Sequence, residues 1–273
     1  MIRYGFIGTG SMGSMLISGF IRSGLVAPAD IIASSKTGVS ARALAERTGI
    51  AAAPDNRSVA ADAAVLFICV RPHEVKGVLD EIRETIKTGT LLVSIAGSVS
   101  HKKLEEWGRQ DIRYVRVIPS VTAEQNGGLA LVVWGRRVPR KDKRLLLDLL
   151  NAISSVVEMD EGDLEVCTNL TSCGPALIAA MLKEIGAAAV RTGSIRPELA
   201  DYLVKETVMG TARILTDEQT TFDTIIERVA TKGGSTEEGV RIIHAGLPGI
   251  MDTVHEVLLA KRRLIAEQIK NTA

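Results

Sequence analysis

Aromatic residues make up only 3% of this 273-residue chain: two Trp, three Tyr and four Phe. Stacking platforms for nucleic-acid bases are therefore scarce, and the core has to be aliphatic. The net charge is +1, which argues against a polybasic surface for nucleic acid or acidic lipid. Cys69, Cys167 and Cys173 are the only cysteines, and none forms a Cys-x-x-Cys pair. With four scattered histidines, no zinc pattern arises. Three unpaired thiols fit a reducing compartment, and the expected location is the cytoplasm. No apolar run reaches about 18 residues, so no membrane-spanning helix is expected. The apolar N-terminus is broken by glycines and reads as a strand, not as a signal peptide. What remains, at 46% hydrophobic and 24% charged residues, is the balance of a soluble globular protein.

The chain is organised around its first turn. Ile2 to Ile7 read as a buried strand that runs straight into Gly8-Thr9-Gly10-Ser11-Met12-Gly13, and a helical pattern follows with Met15, Leu16, Phe20 and Ile21. Gly-x-Gly-x-x-Gly between a strand and a helix is a dinucleotide fingerprint. The first glycine permits the tight turn, the second admits a pyrophosphate to the backbone, and the third lets the helix pack on the strand. The helix start then offers free N–H groups and a positive dipole end.

Strand and helix alternate from there. Expected helices are Ser11–Ser23, Ser40–Arg47, Asp55–Ala60, Val75–Ile86, His101–Trp107 and Arg140–Ile153. Expected strands are Asp30–Ser34, Ile50–Ala52, Val65–Val70, Leu91–Ile95, Tyr114–Ile118, Gly128–Trp134 and Val156–Met159. That alternation implies a Rossmann-type α/β domain, a doubly wound parallel sheet, over residues 1–160. The tip of the second strand should meet the adenosine ribose, about 20 residues past the glycines. Instead of the Asp or Glu of an NAD protein, it carries Ser34-Ser35-Lys36-Thr37. Hydroxyls and a cation suit a 2′-phosphate, so NADP(H) is expected, with NAD(H) as the alternative if Lys36 is only a solvated turn residue. Arg71-Pro72-His73 ends the Val65–Val70 strand at the sheet edge where such folds bind ligands.

After Asp160-Glu161-Gly162 only helical patterns follow: Leu164–Thr192, Pro197–Leu215, Thr221–Thr231, Ser235–Ala245 and Leu247–Lys270. Residues 161–273 thus read as an all-helical second domain, with a kink expected at Pro175. Residues 176–190 are apolar nearly all round and need cover on most sides, from a partner subunit or from neighbours in the same chain. Lys232-Gly233-Gly234-Ser235-Thr236 precedes a helix with capping-box spacing, Ser235-x-x-Glu238. Such a helix start can hold a carboxylate on its N–H groups, or simply be an ordinary N-cap.

Taken together, Phe6-Ile7-Gly8-Thr9-Gly10-Ser11-Met12-Gly13, Val70-Arg71-Pro72, Ser94-Ile95-Ala96, Arg116-Val117-Ile118-Pro119, Cys173-Gly174-Pro175-Ala176 and Lys232-Gly233-Gly234-Ser235-Thr236 resemble the pyrroline-5-carboxylate reductases over the full length of the chain. The resemblance implies an oxidoreductase that reduces 1-pyrroline-5-carboxylate to L-proline, in amino-acid biosynthesis, by hydride transfer from NAD(P)H to a C=N bond. It implies a homodimer, or a larger assembly, built through the helical domain, and no metal. Carried over, Gly8, Thr9, Gly10, Ser11, Met12 and Gly13 hold the pyrophosphate, and Ser35 and Lys36 the 2′-phosphate. Val70, Arg71 and Pro72 line the cofactor groove, and Ala96 lies near the nicotinamide. Gly233, Gly234, Ser235 and Thr236 hold the substrate carboxylate, with Cys173 at the substrate side. The Thr236 hydroxyl faces the ring nitrogen as the catalytic group.

Three departures fall around the substrate. Pro119-Ser120-Val121-Thr122-Ala123 stands where the family commonly has Pro-Asn-Thr-Pro-Ala, Thr171-Ser172-Cys173-Gly174-Pro175 where it has Ser-Gly-Ser-Gly-Pro, and Lys232 where it often has Pro. In these details the chain is more similar to the paralogue found in late-competence operons. Another small imine or oxo acid, or a regulatory protein that binds NADP(H) without turnover, are the rival readings. His73, His101, His244 and His255 read as surface or structural residues, Cys173 as a packed thiol unless activated, and the Arg136–Arg144 cationic run as a solvated face.

Overall fold

A computed structural model describes residues 4–271. Its contacts divide the chain into two units, residues 1–175 with 258–273, and residues 176–257.

The first unit is built on eight strands: β1 (Tyr4–Ile7), β2 (Ile31–Ser34), β3 (Ala51–Ala52), β4 (Val65–Ile68), β5 (Leu91–Ser94), β6 (Arg113–Ile118), β7 (Leu129–Trp134) and β8 (Ser155–Glu158). Their order in the sheet is β3-β2-β1-β4-β5-β6-β7-β8. Strands β1, β2, β4 and β5 are buried along their whole length, as their unbroken apolar runs require when helices cover both faces. The crossover helices are α1 (Ser11–Arg22), α2 (Val39–Thr48), α3 (Asn56–Asp62), α4 (Val75–Ile82), α5 (His101–Trp107) and α6 (Arg140–Asn151). The expected N-terminal strand residue Ile2 lies outside the described residues.

The sheet departs from the expected all-parallel arrangement at one place. β7 runs antiparallel to β6, and β8 then pairs parallel with β7. The cause is the connection. Between Ile118 and Leu129 the chain makes only a 3-10 turn at Val121–Gln125, closed by Asn126 in the left-handed region at φ 53°. A parallel return needs a crossover of a dozen or more residues, usually a helix, which this segment lacks and α6 supplies.

The scarce aromatics are concentrated. Phe6 and Phe67 stack at 4.6 Å, with Phe20 of α1 tilted 5.7 Å from Phe67. They anchor the layer beneath α1 and α6. The opposite layer is aliphatic, with Val59, Val75, Leu79, Ile82 and Leu104 joined by Trp107. Ile265 and Ile269, near the end of the chain, pack into that layer too. So does α7 (Leu164–Thr171) against the sheet: Leu164 and Cys167 pack with Ile118, Leu131 and Val133. These two segments were expected in the helical domain of residues 161–273, but their apolar faces are buried with the sheet.

The second unit takes up α8 (Gly174–Arg191) from Ala176, all of α9 (Pro197–Ile214) and α10 (Phe222–Val229), and the first part of α11 (Ser235–Asn271). The expected helix Leu164–Thr192 is two helices, with the break just before Pro175, where a kink was expected. Pro175 is the second residue of α8, in the first turn, where its missing N–H costs no bond within that helix. Conversely, the two expected helices Ser235–Ala245 and Leu247–Lys270 are one, with Pro248 inside. Among the described residues no single helix is long and apolar enough to cross a membrane, although α7 and α8 pass that test as a bent pair.

Candidate active site

Strand register assembles the first half of the site. Ile7 pairs with Ser34 on one side and Ile68 on the other, and Ile68 pairs with Ser94. Four strands therefore end level, and the loops after them emerge side by side: 8–13, 35–38, 69–72 and 95–98. This brings together every residue expected to hold the dinucleotide.

The glycine loop separates two kinds of constraint. Gly8 has φ +100°, and a Cβ on it would lie 2.6 Å from the carbonyl oxygen of Cys69. A Cβ on Gly13 would run into the carbonyl oxygen of Gly8. Both positions are glycine because the protein's own backbone demands it. Gly10 differs: a Cβ there would meet no protein atom within 4 Å. Its lack of a side chain keeps open a space beside the start of α1, where no side chain caps the free N–H groups. The loop thus fits a pyrophosphate. Thr9 is tied to Ser40 by a hydroxyl–hydroxyl bond of 2.7 Å, and Ser14 donates to the Thr9 carbonyl at 2.9 Å, which fixes the loop from both sides. Met12 packs on the phenylalanine layer, so its part is to seat the helix. Burial pushes the Cys69 thiol up to about 12, so it is an inert packing group below the loop.

At the ribose end, the Ser35 hydroxyl accepts from the Ala41 N–H at 3.2 Å. Lys36 is 89% exposed and lies 3.7 Å from Glu74, whose carboxylate also accepts the Arg71 N–H at 3.1 Å. An exposed pair of this kind is weak and readily exchanged for a doubly charged phosphate. Pro72 opens the 3-10 turn Pro72–Glu74, and Val70 packs on the aliphatic layer. The reading from sequence missed a second cation here. Arg42, in the first turn of α2, folds over Gly38 with Nη1 2.7 Å from where a Cβ would stand. Only the left-handed φ of +72° at Gly38, set by the fold, reveals that approach.

Ala96 is buried, and its N–H points to Ser94 Oγ at 3.4 Å. The next carbonyl, Gly97, accepts from Arg116, a guanidinium only 3% exposed that also donates to Glu161 at 2.6 Å. Glu161 accepts the His101 N–H as well, at 2.8 Å. The hydrogen bonds from His101, with the Arg116 charge, hold the Glu161 carboxyl down at about 2. Ser120 is buried and accepts from Thr122 at 2.8 Å. Cys173, in the same unit, receives a hydrogen bond at its sulfur from Arg262 at 3.1 Å.

The expected carboxylate turn lies in the second unit. Gly233 has φ +75°, and its N–H donates to Glu237 Oε2 at 2.7 Å. The Gly234 N–H donates to the Thr231 carbonyl at 2.9 Å. These two amides are thus committed within the protein, whereas the Gly234 N–H was expected to face the carboxylate. The expected Ser235–Glu238 capping box is also replaced. α11 starts at Ser235, so the acid that reaches back is Glu237, while Glu238 pairs with Arg241 at 2.9 Å. Among the described residues, the first-turn amides of Ser235 and Thr236 and the exposed Thr236 hydroxyl stay unengaged. Lys232 is exposed beside them.

The chain matches the family model for NADP oxidoreductase, coenzyme F420-dependent, over residues 3–98, and the model for pyrroline-5-carboxylate reductase dimerisation over residues 161–264. It is 34% identical over 271 residues to pyrroline-5-carboxylate reductase 3 of Bacillus subtilis (strain 168), covering 98% of both chains. The chain belongs to the pyrroline-5-carboxylate reductase family. It is 28% identical to ComE operon protein 4 of the same organism, over 94% of this chain and 92% of that one. Among solved structures, a pyrroline-5-carboxylate reductase from Coxiella burnetii superimposes with a TM-score of 0.81 at 25% identity, covering 98% of this chain and 97% of that one.

Proposed function

We propose that the protein reduces 1-pyrroline-5-carboxylate to L-proline with NADPH. The observation that carries this reading is the start of α11, where two amides and one hydroxyl are left free while Glu237 and Thr231 take up the neighbouring amides. That arrangement suits a small carboxylate next to a ring nitrogen. Bound reduced nicotinamide supplies the hydride for the C=N carbon. Gly8, Gly10 and Gly13 shape the pyrophosphate cradle, and Thr9, Ser11, Met12, Val70, Arg71 and Pro72 frame it. Ser35, Lys36 and Arg42 receive the 2′-phosphate, which favours NADP(H) over NAD(H). Ala96 walls the nicotinamide. Ser235 and Thr236 N–H groups hold the substrate carboxylate, with Gly233 and Gly234 shaping the turn, and Cys173 flanks the ring. The Thr236 hydroxyl accepts a hydrogen bond from the ring N–H of the protonated imine, and hydride added to the neighbouring carbon then gives the secondary amine with no further proton transferred. No strong base is needed, because the protonated imine is itself the better acceptor.

The dinucleotide region spans residues 1–160 in this reading, and residues 161–273 serve substrate binding and homodimer formation. The protein works in the cytoplasm, where its three free cysteines stay reduced. A second reading rests on Lys232: an exposed cation beside the carboxylate turn would suit a substrate with a second acidic group. The test follows NADPH absorbance with pyrroline-5-carboxylate and a panel of imines and oxo acids. Turnover of pyrroline-5-carboxylate above all others is expected. A folded, NADPH-binding protein inert to it would end the assignment. Thr236→Ala should lower kcat at least about tenfold, the scale of one lost hydrogen bond to a charged group, with NADPH affinity unchanged. Equal loss of both would contradict the role given to Thr236.

A further inference from the structure

The reading above uses Cys173 and Ala96 but not the charged cluster between them. Glu165, Asn169 and Cys173 are spaced by four residues, so they follow one face of α7 and continue past its end. One guanidinium spans all three: Arg262 Nη1 donates to Glu165 at 3.2 Å, and Nη2 reaches Asn169 Oδ1 at 3.2 Å and Cys173 Sγ at 3.1 Å. The far end of that row lies at the break between α7 and α8. There the Ser172 and Cys173 N–H groups both donate to the Thr168 carbonyl, each at 3.0 Å. Cys173 therefore sits in a widened turn that helix bonding alone does not fix. On its other side, Arg262 Nη1 lies 3.5 Å from where a Cβ of Gly97 would stand, next to Ala96. Glu165 is shared with Arg116, which holds the Gly97 carbonyl. The Arg262 side chain is only 16% exposed.

We infer that Arg262 is a positioning residue for the reaction: it sets the distance between the nicotinamide wall at Ala96–Gly97 and the substrate-side thiol of Cys173. This rests on the proposed reductase reading for the roles of Ala96 and Cys173. The residue type matters. Three acceptors in a row need a planar fork with several fixed donors, and a lysine ammonium on a single stem cannot reach all three at once. Gly97, with no side chain, leaves the guanidinium its place.

The experiment compares wild type, Arg262→Lys and Arg262→Met, each alone and combined with Cys173→Ala. Two readouts are taken: KM and kcat for pyrroline-5-carboxylate, with the NADPH Kd alongside, and hydrogen exchange of the 172–176 amides. Arg262→Lys is expected to keep the NADPH Kd within about twofold, to raise KM about tenfold, and to speed exchange at 172–176 about tenfold while the rest of α7 is unchanged. In the Cys173→Ala background the effect of Arg262→Lys on KM should largely vanish, since the position it acts through is gone. Arg262→Met should be worse than Lys in both readouts. Unchanged exchange at 172–176 in Arg262→Lys overturns the inference, as does a KM effect that is the same with and without Cys173. Wild-type inertness toward pyrroline-5-carboxylate sinks the substrate reading instead, and the exchange rates then decide the role of Arg262 by themselves.

Discussion

The two units of the chain bury their apolar residues in opposite ways. In the sheet unit, Phe6, Phe67, Leu16, Ile17 and Leu66 are under 2% exposed, and both faces of the sheet are covered from within the chain. In the unit of residues 176–257, Gly186 and Ala200 are the only buried residues. There Ile178, Ile185, Tyr202, Met209, Ile242 and Ile250 are 48%, 59%, 59%, 51%, 66% and 57% exposed. Helices as apolar as α8 need cover on most sides. The sheet unit carries its own core, whereas the helical unit has apolar surface without one. That is the difference expected of a region matching a dimerisation model. Folding and assembly should therefore separate by residue.

The sharpest way to break that contrast is a pair of substitutions. Phe67→Ala removes a ring stacked on Phe6 and packed on Phe20, in a site with no solvent. Its cost should be about 3–5 kcal/mol of stability, a large share of the total for an ordinary domain. It should appear as a lower urea midpoint at any protein concentration. Ile185→Glu, on α8, should instead leave the sheet unit's hydrogen exchange intact and split the assembly, read by sedimentation. If Ile185→Glu leaves the assembly whole, the exposed face is not where copies meet. If Phe67→Ala costs less than Ile185→Glu in the monomer, the contrast between the units is wrong.

The same contrast explains what the sequence made legible. Val65-Leu66-Phe67-Ile68 read as a strand because burial on both faces leaves no polar positions to confuse the period. The register that makes the strand ends level came only with the structure. The reversed β7 was legible only as an absence, since no helical pattern separates Ile118 from Leu129. In the helical unit, local signals misled. The patterns Ser235–Ala245 and Leu247–Lys270 read as two helices, yet α11 runs through Gly246 and Pro248, because one proline removes one hydrogen bond from a helix that keeps the bonds of many other turns. The cap was misread by one position, since Glu237 and Glu238 are equally able acids and only the helix start chooses between them. The contacts of Arg42, Arg116 and Arg262 were not legible for a different reason. Arg42 acts over the turn preceding its own helix, and the other two have partners tens of residues away in the chain.

A smaller effect sharpens the picture of the sheet unit as the cofactor's seat. Lys36→Ala and Arg42→Ala should each weaken NADPH binding about tenfold and leave NADH binding nearly unchanged, because each removes a cation from the 2′-phosphate alone. Titration by fluorescence or calorimetry reads both affinities without turnover. A fall in NADH affinity of the same size would mean that the turn shapes the loop and does not select the phosphate. If only Lys36→Ala acts, Arg42 is a solvated residue and the approach over Gly38 is incidental.

The smallest expected effect concerns acid. The Glu161 carboxyl is held at about 2, below its ordinary 4.5, first by the hydrogen bond from His101 and also by the Arg116 charge. A carboxyl depressed on folding stabilises the fold above its unfolded pKa and loses that contribution as pH falls toward the folded value. Glu161 stabilisation is therefore complete above about pH 5 and fades between about pH 4.5 and 2. Because the side chain is 38% exposed, water screens it and the effect is modest. The measurement is the denaturation midpoint of wild type and Glu161→Gln at about pH 6 and about pH 3. The gap between them should narrow at the lower pH, where the wild-type carboxyl is becoming protonated and the two side chains come to carry the same charge. Exchange at 95–98 should rise in Glu161→Gln at about pH 6, since Arg116 loses the partner that aims it at the Gly97 carbonyl. A gap independent of pH would assign Glu161 to packing and detach it from the charges that brace the Ala96–Gly97 loop.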